Sequence, residues 1–240
     1  MPFQTQGGIA VPAVTAEQMR EVDRIAVEEF GLGILQMMEN AGRNLALNVL
    51  DMLGQTSGQV TVLAGAGGNG GGGLCCARHL HNRGFNVRLV LDRDATALTG
   101  AARDQLRILQ AAGLQPADSS QAKEAIRRSQ IVVDALIGYS LRGMPRGRAA
   151  ELIELCNEHA VQTLSLDVLS GLNATTGEAP GSVIRPERTL TLALPKTGLH
   201  SVPGELFLAD IGIPPEVYGR LGLSFEPFYG QQYWIRLTVK

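Results

Sequence analysis

The stretch QVTVLAGAGGNGGGG, residues 59–73, constrains the fold more than any other. A short apolar run ends in glycine, and seven of the nine residues at 65–73 are then glycine. The run reads as a buried strand, and GLCCARHLHNRG (73–84) reads as a helix closed by Gly84. FNVRLVLD (85–92) is the next strand. Two strands joined by a helix form a βαβ unit, and its crossover forces the strands to run parallel. A parallel sheet needs cover on both faces, so the rest of the chain has to supply further helices.

The remaining sequence meets that demand. Met19, Val22, Ala26 and Phe30 repeat at helical spacing over 15–30, Thr15 and Gln18 form a capping box, and Gly31 and Gly33 end the helix. Further helices fit 34–53, 99–112, 119–129 and 146–159, with a short one after Pro214 and Pro215. Strands fit 130–136, 161–167, 182–184, 189–194 and 205–209. The alternation predicts a three-layer α/β fold with a mainly parallel central sheet and helices on both faces. With no repeat and no linker, the expectation is one domain over 1–240, including an N-terminal extension at 1–14. The tail at 223–240 holds five of the eleven aromatic residues and is expected to pack back over the domain.

Composition narrows the function classes. Hydrophobic residues make up 45% and charged residues 18%, which suits a folded globular chain. The net charge of −2 comes from scattered charges of both signs, so no nucleic-acid footprint is visible. No apolar run reaches membrane-spanning length, and no signal peptide is visible at the start. Three cysteines do not make a disulfide framework, and they point to the cytoplasm or another reducing intracellular compartment.

Ligands in open α/β sheets bind beyond the carboxyl ends of the strands. Three polar or glycine-rich loops follow strands: 65–73, DALIGYSLRG (134–143) and DVLSGLNATTG (167–177). The first lets backbone N–H groups approach an anion at a helix N-terminus. It also contains G-x-G-x-x-G as Gly65, Gly67 and Gly70, with Asp92 at a strand end 22 residues after Gly70, as in dinucleotide-binding dehydrogenases. A tight strand-to-helix turn accounts for the glycines equally well. Asp134 and Asp167 end apolar strands, where a carboxylate either caps loop amides, binds a cation or moves a proton. Cys75 and His79 share a helix face at metal-ligand spacing, although packing explains them better. Ser140 sits in GYSLRG without the second glycine of a nucleophile elbow. Lys196 reads as a phosphate contact or a solvated lysine.

Together with MENAG (38–42), ARHL (77–80), PKTGL (195–199) and DIGIP (210–214), these stretches resemble the NAD(P)H-hydrate epimerase family, or YjeF N-terminal domain family, in register over about 15–222. The resemblance implies a Rossmann-like fold, a homodimer and a bound potassium ion. It implies interconversion of the R and S forms of hydrated NADH or NADPH, whose S form a partner NAD(P)H-hydrate dehydratase repairs. Carried over residue by residue, potassium would sit at Asn69, Asp134 and Ser170, with Asp167 as the catalytic group. The hydrated cofactor would meet Gly68, Asn69, Gly70, Gly71 and Gly72, then Gly138, Tyr139, Ser140, Leu141, Arg142, Gly143 and Met144, and Asp167. The family loop usually reads G-P-G-N-N-G-G-D-G, so Gly68 stands for an asparagine and Gly72 for an aspartate. Leu169 replaces the proline of D-x-P-S-G, Asn173 replaces a frequent aspartate, and Tyr139 and Ser140 replace a frequent Thr-Gly.

Three functions follow as expectations. The first is epimerisation of hydrated NADH and NADPH, with Asp167 moving the proton. The second is a non-catalytic nucleotide-binding or protein-interaction domain of the same family, suggested by positions 68, 72 and 169. The third is a nicotinamide-dependent oxidoreductase, which leaves the loops at 134 and 167 unexplained.

Overall fold

The computed structural model describes residues 3–239. Its sheet contains β1 (Phe3–Thr5), β2 (Ala10–Val11), β3 (Gln59–Ala64), β4 (Asn86–Leu91), β5 (Ile131–Ala135), β6 (Thr163–Leu166), β7 (Arg188–Leu192), β8 (Glu205–Ala209) and β9 (Trp234–Val239). The spatial order is β2-β1-β9-β8-β7-β6-β5-β3-β4. The six strands from β4 to β8 run parallel, while β9, β1 and β2 add on antiparallel. The chain leaves β3 for β4 on one side and returns to β5 on the other. This reversal of strand order opens a crevice between β3 and β5.

The helices are α1 (Ala16–Glu28), α2 (Ile34–Leu53), α3 (Gly68–His81), α4 (Gly100–Ala111), α5 (Ala122–Arg128), α6 (Gly147–His159) and α7 (Pro215–Gly219). The predicted capping box closes α1: Thr15 Oγ1 accepts from Gln18 N at 3.2 Å, and Gln18 Oε1 accepts from Thr15 N at 2.9 Å. Alternation along β3 sends Val60, Val62 and Ala64 toward the core under α2, α3 and α4, and Leu63 toward the core under α5 and α6. The sheet is therefore covered on both faces, as its parallel strands require.

Three segments differ from the sequence reading. Residues 182–184 pair with no strand, because β7 occupies the place beside β6. They cross the Ser170 loop instead, with Ile184 N donating to Ser170 O at 3.0 Å. The two terminal segments enter the sheet, with β9 between β8 and β1 and its alternate residues Ile235 and Leu237 buried. In the tail, Phe225, Phe228 and Tyr229 pack back on the core, and Trp234 meets Phe207 edge-on at 5.1 Å.

Helix α3 begins inside the glycine run, earlier than expected, and five of its first six residues are glycine. Each costs about 1 kcal/mol of helix propensity relative to alanine. Close packing accounts for most of them. A Cβ on Gly73 would lie 2.5 Å from Ala135 Cβ, one on Gly71 2.5 Å from Met38 Cε, and one on Gly70 1.7 Å from Gly65 O. Gly42 of α2 meets the same helix, where a Cβ would lie 2.5 Å from Cys75. Gly68 alone among these opens on free space. Gly73→Ala is therefore expected to lose about 1–3 kcal/mol in urea unfolding through overpacking. Gly68→Ala is expected to gain up to about 1 kcal/mol. Equal effects of the two substitutions would contradict the packing account.

Candidate active site

A cleft of about 820 Å³ crosses the carboxyl ends of the parallel strands at the crevice between β3 and β5. Helix α1 lends it Met19, Arg20 and Asp23, and α2 lends it Ile34, Met37 and Met38. The loops after β3, β4, β5, β6 and β7 complete its walls.

Asp167 follows β6 with a left-handed backbone, φ 67°, which costs a non-glycine residue about 1 kcal/mol or more. Its amide still donates to Leu190 O at 2.7 Å, so the turn re-aims the side chain without breaking the sheet edge. Oδ1 accepts from Leu192 N at 3.3 Å and Thr191 Oγ1 at 3.4 Å, and it is ion-paired with Lys196 Nζ. Lys196 is only 1% exposed, and Nζ also donates to Leu192 O at 2.9 Å. Asp167 Oδ2 receives no hydrogen bond among the described residues. The cleft therefore holds a buried ion pair with one carboxylate oxygen uncommitted.

A second carboxylate stands close by. Asp23 accepts a hydrogen bond from Tyr139 Oη, and Lys196 Nζ lies 5.8 Å from the centre of the Tyr139 ring. Burial raises Asp23 above the ordinary carboxylate range, against the lowering effects of Tyr139 and Lys196. Burial and the Asp23 charge also raise the Tyr139 phenol, so it keeps its proton and acts as a donor. Asp23, Tyr139, Lys196 and Asp167 thus form one polar chain along the cleft wall.

The Asp134 carboxylate lies behind this wall and is fully buried. It accepts from Ser165 Oγ at 2.8 Å, Ser170 N at 3.0 Å, Leu136 N at 3.3 Å and Ser170 Oγ. Burial raises its pKa, and these donors oppose the rise. Ser170 Oγ in turn accepts from Ile137 N at 2.9 Å, which ties the β5 loop to the β6 loop. Gly138, the next residue, packs against Asn69 at the start of α3. The Asn69 Nδ2 is buried and has no partner among the described residues.

The α3 N-terminus forms the opposite wall. Gly67 caps it without a side chain, and the N–H groups of residues 68–70 have no backbone partner among the described residues. Such a terminus is a ready anion site. Beyond it, Asp92 holds Arg93 in a two-pronged pair at 2.9 and 3.0 Å at the end of β4.

Of the residues singled out in the sequence, Gly68, Asn69, Gly72, Gly138, Tyr139, Ser140, Leu141, Met144 and Asp167 line the cleft. Asp134 and Ser170 lie behind it. Gly70 and Gly71 are buried by helix packing, while Arg142 and Gly143 form an exposed turn outside the lining. Sequence reasoning missed Asp23 and undervalued Lys196. The available signal for Asp23 was its helical spacing between Met19 and Val27, all three of which line the cleft. Cys75 and His79 do meet, with Glu39, but Arg78 already supplies the local cation. Burial and the Glu39 charge push the Cys75 thiol up to about 12, so it stays protonated. Packing remains the better reading of that cluster.

Comparison with known proteins agrees with this architecture. Residues 34–198, more than half of the chain, match the family model described as YjeF-related protein N-terminus. An NAD(P)H-hydrate epimerase of Dehalogenimonas lykanthroporepellens is 50% identical, with 100% of this chain and 98% of that one covered. One of Rhodopirellula baltica is 35% identical over 87% of this chain and 88% of its own. A bifunctional NAD(P)H-hydrate repair enzyme of Salinibacter ruber is 36% identical, with the match covering 87% of this chain and 42% of that protein. The crystal structure of the yeast protein ynu0 superposes with a TM-score of 0.84 at 22% identity, covering 94% of this chain and 100% of that one, which supports the fold. The chain belongs to the YjeF-related N-terminal family.

Proposed function

We propose that this protein is an NAD(P)H-hydrate epimerase, interconverting the R and S forms of hydrated NADH and NADPH at nicotinamide C6. The observation that carries the reading is the buried Asp167–Lys196 pair in the cleft of a chain whose relatives bear that name. Epimerisation at C6 breaks the C–O bond as hydroxide leaves, then forms it again on the other ring face. The departing hydroxide needs a proton, and the returning water gives one up. In this reading the Asp167–Lys196 pair supplies the proton to the departing hydroxide, and Asp167 takes it back from the returning water through its uncommitted oxygen while Lys196 orients the other. No electron is gained or lost, so no redox partner is needed.

The bare N–H groups at the start of α3 suit the pyrophosphate, with Gly68 leaving room for close approach. Potassium is a further part of the proposal. Asn69, Asp134 and Ser170 all offer oxygen, which suits a hard cation. The buried, unpartnered Asn69 amide supports the fit, because rotating the amide by half a turn aims Oδ1 where Nδ2 now points. A bound potassium ion would supply fixed positive charge where the loops meet. The homodimer implied by the family resemblance remains a separate proposal.

One observation favours the non-catalytic reading. Gly72 lines the cleft where the family resemblance places an aspartate, so the cleft lacks that carboxylate. Conversion of pure R-hydrate to the S form decides the matter. The wild type should exceed the spontaneous rate, and Asp167→Asn should lower the enzymatic rate by about 100-fold or more. Folded wild-type protein with no activity above background would leave binding alone.

Two further outcomes follow from the site. Replacing NaCl with KCl at equal ionic strength should raise the melting temperature of the wild type and have less effect on Ser170→Ala. Equal response of both proteins to the salts would remove potassium from Ser170. For Asp23, the raised folded pKa means that the folded state holds a proton which the unfolded chain releases near an ordinary value of about 4. Its stabilising contribution is present below that value and is lost as pH rises through the folded pKa. Asp23→Asn should therefore gain stability relative to the wild type as pH rises from acid to neutral. A pH-independent difference between the two melting curves would contradict the shift.

A further inference from the structure

Asp92 and Arg93 follow β4 at the far end of the cleft from Asp167, and the proposed epimerase chemistry makes no use of them. Asp92 is nearly buried, with 6% of its side chain exposed, whereas Arg93 is 51% exposed. Both line the cleft. The carboxylate engages Arg93 Nε and one Nη2 hydrogen, which orients the guanidinium and leaves both Nη1 hydrogens and the second Nη2 hydrogen unused. Asp92 likewise keeps spare lone pairs on both oxygens.

Strand order supplies a ruler. Asp167 follows β6, the α3 N-terminus follows β3, and Asp92 follows β4, with the strands arranged β6-β5-β3-β4. Three strand spacings of about 4.8 Å put the β4 end about 14 Å from the β6 end, with the anion site between them. A dinucleotide with its nicotinamide at Asp167 and its pyrophosphate at residues 68–70 carries its adenosine ribose on toward β4. In related sheets an acidic residue at this strand end meets the ribose 2′-hydroxyl, or an arginine meets a 2′-phosphate. This chain has both, in contact with each other.

We propose that Asp92 and Arg93 together read the ribose 2′ position of the hydrated cofactor. Arg93 binds the 2′-phosphate of hydrated NADPH through its unused N–H groups. Asp92 accepts from the 2′-hydroxyl of hydrated NADH while still holding Arg93. The pair therefore admits both cofactors, and removing Arg93 narrows the choice to the form without the phosphate. The inference rests on the dinucleotide reading of the cleft, but not on its catalytic activity.

Unreactive probes make the test. Calorimetric titration of the full chain with ADP-ribose and with 2′-phospho-ADP-ribose should give binding of both. Arg93→Ala should weaken 2′-phospho-ADP-ribose by about ten-fold or more, as loss of a charge-assisted contact does, and change ADP-ribose by less than about three-fold. Arg93→Lys should restore part of the loss, because the charge returns without the fork. Arg146 also lines the cleft and serves as the rival cation. If Arg146→Ala carries the discrimination, or if Arg93→Ala weakens both probes equally or neither, the inference is overturned while the cleft remains a dinucleotide site. If the wild type binds neither probe, the dinucleotide reading itself fails, and this inference fails with it.

Discussion

Helix α3 lies closer to its neighbours than a helix with side chains could. That closeness depends on glycine at positions 70 and 73, with Gly42 opposite on α2. Without it, the N-terminus of α3 could not sit where β3 ends, and Asn69 could not reach Gly138 of the β5 loop. The helix gives up intrinsic propensity for this position, and the lost stability is offset by packing against α2, α4 and the sheet. The same bareness leaves its first N–H groups open to the cleft. One choice of residue therefore serves two purposes: tight packing on three sides of the helix and an uncovered anion site at its end.

The charges in the cleft follow a complementary logic. Burying one ion is costly, and burying a pair is tolerable when hydrogen bonds satisfy what remains. Lys196 meets that condition through Asp167 and Leu192 O. Asp134 meets it with four donors from three different residues. Asp23 is less well served, with Tyr139 its one direct donor among the described residues, and burial moves its pKa upward. The left-handed backbone at Asp167 belongs to the same arrangement, because it turns the carboxylate toward the end of β7 and Lys196. Removal of either member of the pair would strand the other, so the two side chains act as one unit.

Much of this was legible in the sequence. Parallel strands joined by helices are encoded in short apolar runs with helical patterns between them, and helix 34–53 matches α2 to the residue. The three loops were found because each follows a recognisable strand. Other features were hidden for physical reasons. The strand β9 does alternate, from Ile235 through Arg236, Leu237 and Thr238 to Val239, but the aromatic residues just before it point to packing and mask that short signal. Lys196 reads as a phosphate contact or a solvated lysine because a lysine is ordinarily exposed, and nothing local reveals a carboxylate 29 residues earlier in the chain. Asp23 sits at the margin of an apolar helix face, where burial depends on what packs against it. Long-range pairing of charges leaves no periodicity to read.

The glycine run also shows why a local motif can be right about place and incomplete about cause. Read locally, it is a phosphate loop, and the bare N-terminus of α3 is consistent with that. Read in three dimensions, most of its glycines face protein rather than ligand. Gly72 differs from these in lining the cleft. The family resemblance places an aspartate there, and the absence of a side chain looks like lost chemistry. The close neighbour of a Cβ there is Leu166 Cδ2 at 2.8 Å, the movable end of a side chain. An aspartate there requires only that the Leu166 side chain turn aside, so packing does not force the loss of the carboxylate at 72. The change at 72 therefore removes a carboxylate from the cleft while the polar chain from Asp23 to Asp167 stays in place.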